Sequence, residues 1–176
     1  EPDAAPGTTL AVIDREGGAV ACAFTPHEPW GIARMPQGSA YLTVPAPREG
    51  RADSRWLTVA IALRERADVV FAGGASGGAS SAMSLAQVAL DALPGRVDLA
   101  RAIEAPRMEV RADGSIGVDG VGLIARLAPR GYRASETAGG VGRVQAIHCP
   151  DGLAASGATC RIETDRRGAG LAVGSN

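Results

Sequence analysis

Residues 68–93 read DVVFAGGASGGASSAMSLAQVALDAL, and the order of residue types in this stretch decides the fold. Asp68 to Ala72 is rich in β-branched and aromatic residues, which predicts a strand. Gly73-Gly74-Ala75-Ser76-Gly77-Gly78 follows, where glycine opens backbone conformations closed to other residues. From Ser80 to Leu93, the residues Ala82, Met83, Ala86, Ala89, Leu90 and Leu93 recur at helical spacing, and Pro94-Gly95 stops the run. The expected order is strand, glycine turn and helix, with the helix burying that apolar face. Backbone amides at such a junction are unpaired and suit an anion or a developing oxyanion. A phosphate loop is the rival reading, but no Lys follows the glycines and the spacing does not match G-x-x-x-x-G-K-[ST]. A third reading is that the glycines only permit a tight turn and close helix packing.

Toward the N-terminus, Thr8 to Asp14 and Ala19 to Thr25 read as strands joined by the turn Arg15-Glu16-Gly17-Gly18. Pro26 to Arg55 is rich in Pro and Gly with one strand-like run, Ala40 to Val44, and reads as a surface excursion that could line a pocket. Trp56 to Leu63 pairs with Asp68 to Ala72 around Arg64-Glu65-Arg66. Toward the C-terminus, Asp98 caps a helix through about Ala105 and Asp119 a helix through about Ala128. Further strands are expected at Arg107 to Arg111, Val144 to Ile147 and Leu171 to Val173. This order implies an α+β protein whose helices cover one side of a largely antiparallel sheet. Residues 1–7 read as a leader or linker and 8–176 as one domain.

Bulk properties narrow the functional classes. A chain of 176 residues can bury a core; 45% hydrophobic with 3% aromatic residues makes that core one of Ala, Val, Leu and Ile between closely approaching layers. A net charge of −1 excludes the basic field of non-specific nucleic-acid binding, leaving small molecules and proteins as partners. No apolar run approaches the roughly 18 residues of a membrane-spanning helix, so no membrane insertion is expected. The two His, the three Cys and the acids lack metal-ligand spacing, so no cofactor is expected. Three cysteines argue against a closed disulfide framework, and Cys22 reads as a small buried apolar residue.

Gly7-Thr8-Thr9 opens the first strand. Thr there is an ordinary strand former or, as a chain terminus, a nucleophile whose own α-amino group, with a pKa of about 8, takes the hydroxyl proton. That chemistry requires cutting the Gly7–Thr8 bond. The run Thr8-Thr9-Leu10 through Asp14, then Gly17-Gly18 and Ala19 to Thr25, resembles the start of the small subunit of gamma-glutamyltransferases. The likeness continues in order. Gly74-Ala75-Ser76-Gly77-Gly78 with Ala86-Gln87-Val88 resembles that family's Gly-Ser-Pro-Gly-Gly and Leu-Gln-Val. Arg101 to Arg107 resembles Ala-Val-Asp-Ala-Pro-Arg, and Val144-Gln145-Ala146-Ile147 resembles Val-Gln-Ala-Ile. Asp165-Arg166-Arg167-Gly168 and Gly170 to Gly174 resemble the terminal motifs.

The resemblance implies a four-layer αββα N-terminal-nucleophile hydrolase fold, self-cleavage, and transfer of a γ-glutamyl or related acyl group to water or an amine. By position, Thr8 would be the nucleophile, Thr25 would orient it, and the amides of Gly77 and Gly78 would hold the oxyanion. His27, Arg55 and Ser76 would meet the substrate. A large subunit from the same precursor and a small amide substrate are the implied partners, and a periplasmic or extracellular place the implied location. The sequence departs from the family where Leu10 follows the threonines directly, without the family's His. Placing Thr8 at the nucleophile therefore needs a one-residue deletion, while ungapped alignment from Asp14 puts Gly7 there. Leu42 to Pro47 also lacks the family's carboxylates. A degenerate relative serving as a binding or assembly module is the alternative.

Overall fold

The computed structural model describes residues 7–24, 37, 57–65, 68–137, 141–153 and 159–174. Strands β1 (Thr8–Ile13) and β2 (Ala19–Phe24) form the expected hairpin, in unbroken register from Thr8 opposite Phe24 to Ile13 opposite Ala19. Its turn closes with Asp14 N–H donating to the Gly18 carbonyl at 2.9 Å, and with the Asp14 carboxylate accepting from Gly18 N at 2.7 Å. The left-handed Gly17, φ 92°, makes that turn possible.

Strands β3 (Leu57–Leu63), β4 (Val69–Ser76), β8 (Arg143–His148) and β9 (Arg161–Thr164) form an antiparallel sheet in the order β3-β4-β8-β9. Helices α1 (Ser81–Ala92) and α2 (Leu99–Glu104) cover one face; there Phe71, Ala75, Val144 and Ala146 meet Leu85, Val88, Ala92, Leu99 and Ile103 in the core. The hairpin lies on the opposite face, with β1 against β4 and β8 and β2 against β3 and β4. A small sheet of β5 (Met108–Val110), β6 (Ile116–Val118) and β7 (Ala134–Glu136) stands beside this body with α3 (Val121–Leu127); its β6–β7 pairing is parallel.

The α+β class holds. Among the described residues the layers are three, α, β and β, and the outer face of the hairpin carries no layer. Leu10, Val12, Val20 and Phe24 there are 39 to 54% exposed.

Several sequence expectations are corrected. Strand β4 runs through the first glycines to Ser76, because Gly73 and Gly74 sit where neighbouring chains come too close for a side chain. A Cβ on Gly73 would lie 3.0 Å from Ala146 Cβ. Helix α1 buries the face opposite to the expected one. Ser81, Ser84, Leu85, Val88 and Ala92 are inside, whereas Leu90 is 70% exposed and Met83 and Leu93 are also exposed. Small serines win because the helix must approach the glycine-rich sheet closely. Asp98 caps α2 as expected, accepting from Ala100 N at 2.7 Å. Gly120, rather than Asp119, precedes α3, and the Asp119 carboxylate accepts from Arg107 N instead.

Leu171 to Val173 is not a strand, while β6, β7 and β9 were not foreseen. Cys22 is half-buried rather than buried. Cys149 and Cys160 form a disulfide, because they follow the β8–β9 pair His148–Arg161 as the next cross-strand neighbours. The leader 1–6 and the run Ala40 to Val44 lie outside the described residues.

Candidate active site

Gly77 and Gly78 turn the chain between the end of β4 and α1. Both are left-handed, with φ of 116° and 77°. Gly77 also has no room for a side chain, since a Cβ would lie 3.0 Å from Gly142 Cα. Ser80 fastens the turn. Its hydroxyl donates to the Gly77 carbonyl at 3.0 Å and accepts from Gly142 N at 2.9 Å. With the Gly77 carbonyl engaged in this way, the N–H groups of Gly77 and Gly78 have no acceptor among the described residues. Two such amides, preceding the helical turn Gly78–Ser80 and α1, can receive negative charge. Ser76, at the end of β4, is buried beside this turn.

Strand β1 lays its second residue over Gly74, three positions before Gly77. Thr9 faces the sheet and is buried against Gly74, while Gln145 Nε2 donates to its carbonyl at 2.6 Å. Side chains alternate along a strand, so Thr8 faces the other way. It is exposed, on the outer face with Leu10 and Val12, and its cross-strand partner is Phe24. Thr8 and Thr9 line a cavity of about 170 Å³ between β1, β8 and β9 that also takes in Gln145, Thr164 and Leu171. Neither Ser76, Gly77 nor Gly78 lines it. Thr8 thus adjoins the residue that lies over Gly74, three positions before Gly77, and the cavity that it lines does not reach the glycine turn. Thr25, His27 and Arg55 lie outside the described residues.

A larger cavity of about 440 Å³ between α1, α2 and α3 holds none of the expected site residues; Gln87, Leu90, Pro106 and Leu127 line it.

Asp119, expected as a helix cap, instead joins Arg107, Asp165 and Arg167, which no sequence motif marked as a site, in a buried ionic network. Arg107 and Asp165 are paired at 1% and 2% side-chain exposure. Asp165 also accepts from Val144 N and Arg167 N. Burial would raise its carboxyl pKa, but the Arg107 hydrogen bond, the backbone donors and the Arg107 charge outweigh this and hold it below the ordinary value. Burial likewise lowers Arg107, with Asp165 opposing. Arg167 bridges Asp119 at 2.7 Å and Asp165 at 3.2 Å. It also donates to the carbonyls of Ile103 at 3.0 Å and Ala105 at 3.2 Å, which end α2. The signal for this network was present in Glu104-Ala105-Pro106-Arg107, where charges flank an apolar pair, and in the three adjacent charges Asp165-Arg166-Arg167. The network ties α2, β5, the start of α3 and the end of β9 together, behind the sheet from the hairpin.

No family model and no curated protein sequence matches this chain. Solved structures do. A gamma-glutamyltranspeptidase from Pseudomonas nitroreducens, complexed with L-DON, superposes with a TM-score of 0.73 at 19% identity, over 96% of this chain and 100% of that one. A mutant gamma-glutamyltranspeptidase from Helicobacter pylori gives 0.71 at 19%, over 92% and 100%. The transpeptidase CapD of Bacillus anthracis gives 0.67 at 16%, over 91% and 94%. Over nearly its whole length, the chain has the fold of these transpeptidase chains.

Proposed function

We infer that the chain is the nucleophile-bearing half of an N-terminal-nucleophile amidohydrolase or transferase, acting on a γ-glutamyl or related amide. The observation that carries this reading is the left-handed Gly77–Gly78 turn, whose two amides have no acceptor among the described residues and which follows by three positions the Gly74 that Thr9 of β1 covers. Cutting the Gly7–Thr8 bond would leave Thr8 held by one peptide bond. Rotation about its Cα–C bond could then carry the hydroxyl from the outer face toward the turn. The free amine would take the hydroxyl proton as Oγ attacks the amide carbon, while the Gly77 and Gly78 amides hold the oxyanion. Collapse expels the amine, which takes that proton, and leaves a Thr8 ester. Water or a second amine then cleaves the ester and restores the hydroxyl.

A second subunit from the same precursor would supply the outer layer, covering Leu10, Val12, Val20 and Phe24. The Cys149–Cys160 disulfide supports maturation in an oxidising compartment, in keeping with a periplasmic or extracellular place.

One observation favours the alternative of a binding or assembly module. The β1–β2 register is unbroken, so no bulge marks a lost residue, and Thr8 is paired with Phe24 on the outer face. A strand without a lost residue agrees with the ungapped alignment from Asp14, which sets Gly7, without a hydroxyl, where the family has its nucleophile. Intact mass of the mature protein and turnover of γ-glutamyl anilides decide between the readings. Catalysis requires a new N-terminus at Thr8 and a loss of at least about a thousandfold in kcat on Thr8→Ala. An uncleaved chain without turnover supports the module, and turnover indifferent to Thr8 overturns the Thr8 mechanism.

A further inference from the structure

A two-stranded hairpin laid on a sheet has few means of fixing which way its side chains face. A slip by one residue would exchange every inward and outward side chain. Thr9 bears the signs of a fixed point in β1. It is 7% exposed, and it fits because Gly74 beneath it has no side chain: a Cβ there would come within 2.5 Å of Thr9 Cβ. Gln145, the partner of Gly74 across the β4–β8 ladder, reaches up to the same residue. Its carboxamide nitrogen donates both to the Thr9 carbonyl, at 2.6 Å, and to the Thr9 hydroxyl. A slip that places Leu10 over Gly74 loses the second bond, because Leu10 has no hydroxyl to accept it; a slip the other way keeps a hydroxyl there in Thr8 but forces the larger Leu10 into the inward place of Ala11.

We propose that Gln145 is a positioning residue. With the niche above Gly74 it locks the register of β1, and so fixes the Gly7–Thr8 bond beside the residue that lies over Gly74, three positions before Gly77. The role in catalysis rests on the amidohydrolase reading, whereas the lock itself does not.

The experiment compares the wild-type protein, made from its whole precursor, with Gln145→Ala and Gln145→Glu. The Glu variant keeps the length of the side chain but cannot donate. Three quantities are read: cleavage at Gly7–Thr8 by intact mass, kcat and KM on a γ-glutamyl anilide, and amide hydrogen exchange along β1 and β9. Both variants should cleave slowly and lose about ten- to a hundredfold in kcat, with KM within about twofold, because a misplaced nucleophile costs rate more than binding. Exchange should quicken at least about tenfold in β1 and stay unchanged in β9. Wild-type kcat in the variants, or unchanged β1 exchange, overturns the proposal. If the wild type neither cleaves nor turns over, the catalytic reading fails and exchange alone judges the lock: faster exchange confined to β1 upholds it, and no change overturns it.

Discussion

Burial lowers the His148 imidazole below its ordinary value of 6.5. The side chain closes β8 between Phe71 of β4 and Arg161 of β9, and it is 6% exposed. Between the lowered folded value and the unfolded one, the unfolded chain binds more protons, so stability rises with pH. This contribution is full above about 6.5 and drains away as the pH falls through the folded value. Urea unfolding should therefore show a midpoint that drops between pH 7 and pH 5, and His148→Gln should flatten that drop. An equal slope in the variant would assign it to another group. Asp165 follows the same direction at lower pH: its carboxyl is held below the ordinary 3.8, so the pairing persists until strong acid protonates it. Arg107 Nε and Nη1 have no partner among the described residues, which makes its single bridge to Asp165 the more necessary.

At the level of elements, α1 teaches how a small hydroxyl can behave as an apolar residue. Ser81 is within 3.3 Å of Thr58 through their hydroxyls, but the Ser84 hydroxyl is buried without a partner among the described residues. Gly142 packs against both: a Cβ there would lie 3.1 Å from Ser81 Cα and from Ser84 Oγ. Ser84→Ala should thus leave the protein as stable or more stable, by up to about 1 kcal/mol, because it removes a desolvated group that gains no bond. Gly142→Ala should cost about 1–3 kcal/mol by overpacking the same crossing. Thermal or urea unfolding reads both, and a loss in Ser84→Ala would mean that the hydroxyl has a partner in solution. The crossing also explains why the helix face was misread. Apolar periodicity chose Met83, Ala86 and Leu90, whereas the decisive quantity was side-chain volume against a glycine-rich sheet. The hairpin was legible because Gly17 and Gly18 mark its turn, and α2 because Asp98 marks its start. Strands β6 and β7, with three residues each, are too short to display a period.

On the scale of the whole molecule, the layers that were legible are those whose partners lie within the chain. The fourth layer was an expectation from family likeness, and the described residues contain three. The glycine turn was placed by its composition. The facing of Thr8 was not, because a strand's side chains alternate whichever of two adjacent threonines points inward, and only the contacts of Thr9 with Gly74 and Gln145 choose. The hairpin face that the described residues leave uncovered carries its own prediction. Made alone at micromolar concentration, the chain should self-associate through Leu10, Val12 and Val20, since contiguous apolar surface of this kind seeks a cover. Replacing Val12 and Val20 with Thr should reduce the light scattering several-fold without unfolding the hairpin, as Thr suits a strand. A monodisperse monomer before substitution would show that the face is covered from within the chain.

The bridge between Cys149 and Cys160 bears on how a newly made chain avoids wrong pairings. Three thiols allow three possible bonds, two of which would capture Cys22. The native pair spans a separation of 11, whereas Cys22 must close a loop more than ten times longer to reach either partner. Chain statistics alone favour the short loop by roughly 2 kcal/mol, a bias of about fortyfold. Correct oxidation is thus written into the spacing before any strand has formed, and it leaves Cys22 as the thiol that stays reduced.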